Sequence, residues 1–295
     1  MPRLAQVATA RQAQLADGRR LGFAEYGDPE GKPVILFHDL WGNHSLRHPD
    51  DSILERLGLR LIGVDRPGFG MSTRKPGRGI MDVVDDVMML SKALKLERFA
   101  LLGYSAGGPY ALACAYRFPQ IVRRCAVVSC LPPLDHEQGF RALHAFYGRL
   151  FQLASGNEAF FRLLMRGFFW FDAQRNSDQY IRELGSSFSR ADQDVLSNLD
   201  LFNRRQEMWR EIRRAGSDFL VDEIVSLTRP WGYHLQSIET PVDVWWGETD
   251  LFCSPVVSER MAAMIPNASA RCDPQAGHLI LFSHWEAILQ ALIAD

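Results

Sequence analysis

Phe99-Ala100-Leu101-Leu102-Gly103-Tyr104-Ser105-Ala106-Gly107-Gly108-Pro109-Tyr110 is a short apolar run that breaks into Gly-x-Ser-x-Gly, and helix-compatible residues then continue to Arg117, ahead of Pro119. The apolar run predicts a buried strand, and the pattern after it predicts a sharp strand-to-helix turn with the serine at its tip. Side chains two positions either side of that serine would meet the neighbouring strand and helix, which is the physical demand for glycine at 103 and 107. Such a turn aims the amide of Ala106, at the start of the new helix, toward the place where an oxyanion would form. A bare Gly-x-Ser-x-Gly arises by chance in roughly one chain in ten of this length. Its weight here comes from its setting, and Ser105 is the candidate nucleophile.

Working outward, the flanks repeat the same kind of element. Val34-Ile35-Leu36-Phe37 and Leu61-Ile62-Gly63-Val64 precede the serine turn, and Cys125-Ala126-Val127-Val128-Ser129 follows it. Each is an apolar run of strand length, and between Met81 and Leu96 apolar residues recur at helical spacing. Arg11 to Leu15 and Arg20 to Tyr26, joined at Asp17-Gly18, read as an opening hairpin. Strands alternating with helices predict an α/β fold with a mostly parallel sheet covered on both faces.

From about 131 to 235 the alternation stops. This segment reads as helical and carries Phe146, Tyr147, Phe151, Phe169, Trp170, Phe202 and Trp209 among its aromatics. It is expected to be a helical lid inserted into a core formed by 1–130 and 236–295, roofing an apolar cavity. The sheet resumes at Val242-Asp243-Val244-Trp245-Trp246, and a last strand is expected near Ala268 to Cys272.

Composition narrows the functional class. The 295 residues carry a net charge of −2 with no long basic run, so no nucleic-acid partner is expected. No apolar run approaches a membrane span, and the N-terminus lacks the apolar segment of a signal peptide. Five cysteines without a C-x-x-C pair suit buried, reduced thiols in the cytoplasm. His44 and His48, four apart, have no Cys, Asp or Glu at ligand spacing, so no metal is expected, and no cofactor.

A serine hydroxyl needs a base in reach, and the base needs a carboxylate to fix its tautomer. Asp250, in the loop after the strand 242–246, and His278, in the loop after the last strand, supply both in the order Ser, Asp, His. Together with Asp65-Arg66-Pro67-Gly68-Phe69-Gly70-Met71-Ser72, these motifs resemble the α/β-hydrolase fold superfamily over roughly residues 20–130 and 240–295. The resemblance implies the α/β-hydrolase fold, and a serine at the turn points to acyl transfer rather than to the carboxylate-nucleophile branches.

One position departs from the family. Its loop after the first parallel strand usually reads His-Gly-x-Pro-Gly, whereas this chain has His38-Asp39-Leu40-Trp41-Gly42. By position, Leu40 should lend its amide beside Ala106 to the oxyanion hole. Asp39 would impair that hole if it pointed inward, and is expected to point outward. Trp41, Tyr104, Phe146, Phe169 and Leu251 are the expected substrate contacts.

The expected activity is a serine hydrolase cleaving an ester, thioester or lactone of a small apolar, carbonyl-containing substrate, as a monomer or homodimer. Cleavage of a C–C bond, a non-hydrolytic general-base reaction, and a ligand receptor on the same fold are the rival readings.

Overall fold

The computed structural model describes residues 10–172 and 188–294. Eight strands form one sheet: β1 (Arg11–Gln14), β2 (Arg20–Gly27), β3 (Lys32–Phe37), β4 (Leu59–Val64), β5 (Phe99–Tyr104), β6 (Val122–Val128), β7 (Val242–Gly247) and β8 (Ala268–Asp273). Their spatial order is β1-β2-β4-β3-β5-β6-β7-β8. The opening hairpin joins antiparallel, with β2 against β4, and the other six strands run parallel.

The parallel strands are apolar on both sides because both faces are covered. Ile35, Phe37, Leu101, Val127 and Val244 pack on one face under the helices Ile80–Ala93, Gly108–Arg117 and Pro255–Met264. The alternate residues Val34, Leu36, Leu102, Val128 and Trp245 pack on the other, under Ser52–Arg56 and Trp285–Ile293. Each such buried side chain removes enough apolar surface to contribute about 1.5–3 kcal/mol.

The chain leaves β3 toward β4 on one side and returns to β5 on the other, so the crevice outside the C-terminal ends of β3 and β5 is where such a sheet places a ligand. Phe37 pairs with Gly103, Val128 with Trp245 and Gly247 with Asp273. That register brings the loops 38–42, 105–107, 248–253 and 274–279 to one edge.

Between β6 and β7 the described residues form helices: Glu137–Arg141, Ala145–Gly156, Glu158–Asp172, Arg190–Leu196, Leu199–Ala215 and Asp218–Leu227. The last of these joins the sheet through a fully buried ion cluster. Glu223 accepts from Arg66 Nε at 2.7 Å, from Tyr110 Oη at 3.1 Å and from Arg78 Nη2, and all four side chains are buried. Burial opposes the charge on Glu223, but Arg66 and Arg78 outweigh it and hold its carboxyl below the ordinary range.

The five cysteines are unpaired. Four are buried as expected; Cys272, on the edge strand β8, is exposed. Among the described residues no helix is long and apolar enough to cross a membrane.

Candidate active site

Ser105 follows β5 with φ +51°, a left-handed backbone that a non-glycine residue adopts only when its surroundings impose it. The glycines around it are sterically required. A Cβ on Gly103 would lie 2.7 Å from Gly108 Cα and 2.8 Å from Ala111 Cβ, and one on Gly107 would strike the Phe37 carbonyl. Ala106 is the middle residue of the short turn Ser105–Gly107 that leads into the helix Gly108–Arg117.

Three sequence-predicted residues come together here. His278 Nε2 lies 3.2 Å from Ser105 Oγ, and His278 Nδ1 lies 2.8 Å from Asp250 Oδ2. Asp250 Oδ1 accepts the amides of Phe252 at 2.8 Å and Cys253 at 3.0 Å, which fixes the carboxylate. Burial works against a charged His278, but Asp250, with Asp192 and Asp39 further out, outweighs it and holds the pKa above the ordinary 6.5.

The backbone of His278 is also held. Its carbonyl accepts from Tyr104 Oη at 3.2 Å and from Ser129 Oγ at 3.0 Å. Its amide donates to Asp192 Oδ2 at 3.1 Å, and Leu279 N donates to Asp192 Oδ1 at 2.7 Å. Ser189 Oγ donates to the same carboxylate at 2.8 Å. Gly277 admits this arrangement, since a Cβ there would collide with Asp192 and Ser189. Asp192 escaped the sequence reading because nothing in Arg190-Ala191-Asp192 distinguishes it from any acidic first turn of a helix.

Asp39 corrects an expectation. It is buried, and its Oδ2 accepts from Arg205 Nη2 at 2.7 Å instead of pointing out to solvent. Arg205 arrives from the helix Leu199–Ala215, so the negative charge near the Leu40 amide is paired. The loop that lacks the family glycine and proline is held by other means. Arg66 donates to the carbonyls of His38 and Asp39, and His38 Nδ1 lies 2.7 Å from Asp39 O. Burial and the neighbouring Arg66 push the His38 pKa well down, so that ring is neutral.

A cavity of about 140 Å³ opens beside Ser105 and His278. Trp41 and Tyr104 line it as expected, with Leu40 beside them, joined by Tyr147, Phe151, Phe202 and Trp209 from the helices between β6 and β7. Three expected contacts lie elsewhere. Phe146 is 62% exposed, Leu251 is 48% exposed, and Phe169 packs on the core away from the cavity. Phe146 misses because its neighbour Tyr147 takes the inward face of the same helix; Phe252 displaces Leu251 in the same way. Arg205 was missed as one of a short basic pair, a pattern that ordinarily marks a solvated face.

Asp250, Cys253 and His278 present ligand-type atoms within 4.8 Å of one another. They do not suit a metal: both Asp250 oxygens are engaged, and burial pushes the Cys253 thiol well up, away from the thiolate a metal needs.

Comparison with known proteins agrees with the fold. The chain is 28% identical over 109 residues to the sn-1-specific diacylglycerol lipase ABHD11 of Danio rerio, covering 37% of this chain and 34% of that protein. It is 35% identical over 109 residues to the 2-hydroxy-6-oxo-2,4-heptadienoate hydrolase of Pseudomonas putida, covering 34% of this chain and 38% of that one. The matched region thus spans only about a third of either relative's length. A solved hydrolase from Pseudomonas aeruginosa PA01 superposes with a TM-score of 0.72 at 18% identity, over 98% of this chain and all of the other, a likeness of fold. The model of the alpha/beta hydrolase fold matches residues 32–284, and the chain therefore belongs to that family.

Proposed function

We propose that the chain is a serine hydrolase that opens an ester, thioester or lactone of a small, largely apolar acyl compound through an acyl-enzyme. The observation that carries this reading is the continuous hydrogen-bonded line Ser105–His278–Asp250 at the wall of an apolar cavity. Ser105 Oγ attacks the carbonyl carbon as His278 Nε2 takes its proton, with Asp250 stabilising the imidazolium. The amides of Leu40 and Ala106 receive the oxyanion. The leaving group departs with the proton from His278, and a water deprotonated by the same nitrogen releases the acid and restores Ser105. The cavity volume is close to that of a site known to hold benzene, so the acyl portion is small. The helices between β6 and β7 serve as the lid over that cavity, and five unpaired thiols suit a reducing cytoplasm.

Intact-protein mass after exposure to a fluorophosphonate tests the reading on wild type, Ser105→Ala and His278→Ala. One rapid adduct on wild type alone supports it, and no adduct on folded wild type refutes it. The similarity to the heptadienoate hydrolase keeps a second reading, C–C cleavage with His278 as general base. Turnover of such a substrate by Ser105→Ala would favour that reading.

A further inference from the structure

Tyr147 brings to the cavity wall a hydroxyl that nothing else in the site engages. Tyr104 Oη donates to the His278 carbonyl and Ser105 Oγ faces His278 Nε2, but Tyr147 Oη has no hydrogen-bond partner among the described residues. It is not sealed away either. Asp39 Oδ1 and Arg205 Nη1 are wall atoms buried out of reach of the cavity, whereas Tyr147 Oη is not. Burial alone pushes its pKa up to about 12, so it stands there as a neutral phenol.

The ring is close to the reacting atoms. Its centroid lies 5.2 Å from that of Phe252, which in turn lies 5.1 Å from that of His278. One ring therefore separates Tyr147 from the imidazole, and it lines the same 140 Å³ space as Ser105. Leu131, Leu143, Phe151 and Phe188 add only apolar surface to that wall.

A wholly apolar group against Tyr147 strips water from the hydroxyl and returns no hydrogen bond, which is costly. A bridging water would need two or more polar partners, and leucine and phenylalanine side chains supply none. An oxygen on the substrate itself removes the cost. A carboxylate does not serve: among the described residues the one guanidinium of the wall, Arg205, is already paired with Asp39, so that charge would be buried without a partner.

We propose that the Tyr147 hydroxyl is a specificity-determining contact, pairing with an uncharged oxygen that the substrate carries beyond the scissile group, such as an ether, hydroxyl or ketone. This inference rests on the serine-hydrolase reading for the bond broken at Ser105.

Tyr147→Phe removes the oxygen and keeps the ring. Two pairs of esters exchange one methylene for an ether oxygen: butyl acetate against 2-methoxyethyl acetate on the alcohol side, and ethyl pentanoate against ethyl 3-methoxypropanoate on the acyl side. Wild-type kcat/KM, followed by acid release at constant pH and corrected for hydroxide-catalysed rates, should favour the ether member of one pair about five- to a hundredfold. The pair that shows it identifies which side of the scissile bond faces Tyr147. In Tyr147→Phe that ratio should fall to about one, the ether ester losing and its methylene counterpart gaining. A merely structural role would lower both members together and leave the ratio. Ratios near one in both wild-type pairs, or a preference that survives the substitution, overturn the proposal. A preference for monoethyl succinate over ethyl pentanoate overturns its neutral character.

Calorimetric binding of the same esters to Ser105→Ala and to Ser105→Ala/Tyr147→Phe separates the two claims. An ether preference in binding that depends on Tyr147, without turnover by wild type, would keep the recognition contact and sink the hydrolase. Turnover of all the esters without discrimination would do the reverse.

Discussion

Asp192 accepts the backbone amides of both His278 and Leu279, so a carboxylate from between β6 and β7 sets the position of the imidazole at Ser105. Asp192→Asn keeps the shape but turns one acceptor into a donor facing an N–H. Loss of a buried charge-assisted bond of this kind predicts a fall of about tenfold or more in kcat with little change in KM. Asp192 also helps to raise the His278 pKa, so the acid limb of the pH–rate profile should move down in the variant. A variant that loses stability but keeps both the wild-type kcat and the wild-type limb would refute a positioning role.

The pH dependence of the wild type follows from His278. In the proposed mechanism the base must be neutral to take the serine proton, and the His278 pKa lies above 6.5. Activity should therefore fall as pH drops through a midpoint above 6.5, measurable from kcat/KM against pH. The stability linkage has the opposite sense: the contribution of this raised pKa is fully present below the unfolded value and lost as pH rises through the folded one. Chemical denaturation at several pH values reads that second effect.

Among the described residues Glu223 is the only carboxylate in its buried cluster, facing Arg66 and Arg78. Glu223→Gln leaves two guanidiniums without a counter-charge, and breaking a buried pair in this way costs about 3–5 kcal/mol. Because Arg66 also holds the carbonyls of His38 and Asp39, turnover should suffer beyond what the folded fraction explains. Urea unfolding together with kcat on the folded protein checks both parts.

Gly107→Ala tests the steric account of the serine turn. The added Cβ meets backbone, the Phe37 carbonyl, which cannot rotate away. A loss of about 3 kcal/mol is expected. Gly156, whose Cβ would meet nothing within 4 Å, is the control, and Gly156→Ala should leave stability unchanged or raised.

Much of this was legible in the sequence, for identifiable reasons. The strands around Ile35, Leu101 and Val127 announce themselves because both faces of a parallel strand are buried, and the Gly103–Gly107 pattern because backbone leaves no room there. Asp250 and His278 could be named because chain order and strand ends restrict the choice. The cavity wall was less legible: Phe146 and Tyr147 are equally aromatic, and only the helix rotation decides which one turns inward. Asp39 and Arg205 are 166 positions apart and belong to different elements, so nothing local joins them. A single buried ion pair leaves no periodic trace, and the same holds for Asp192 and His278.

The segment between β6 and β7 is stitched to the loop bearing Asp250 by main chain, and to the loop bearing His278 by the side chain of Asp192. Ser254 N donates to Ala142 O at 2.8 Å, His144 N to Phe252 O at 2.9 Å, and Leu143 bridges Cys253. The loops bearing Asp250 and His278 thus each borrow part of their shape from a stretch of chain whose described residues add no strand to the sheet. A chimera with a foreign segment grafted between β6 and β7 should keep a folded sheet and an intact serine turn, yet lose the alignment of its acid and base. On the proposed reading this segment is not an interchangeable roof, and breadth of substrate would have to be sought by altering side chains within it.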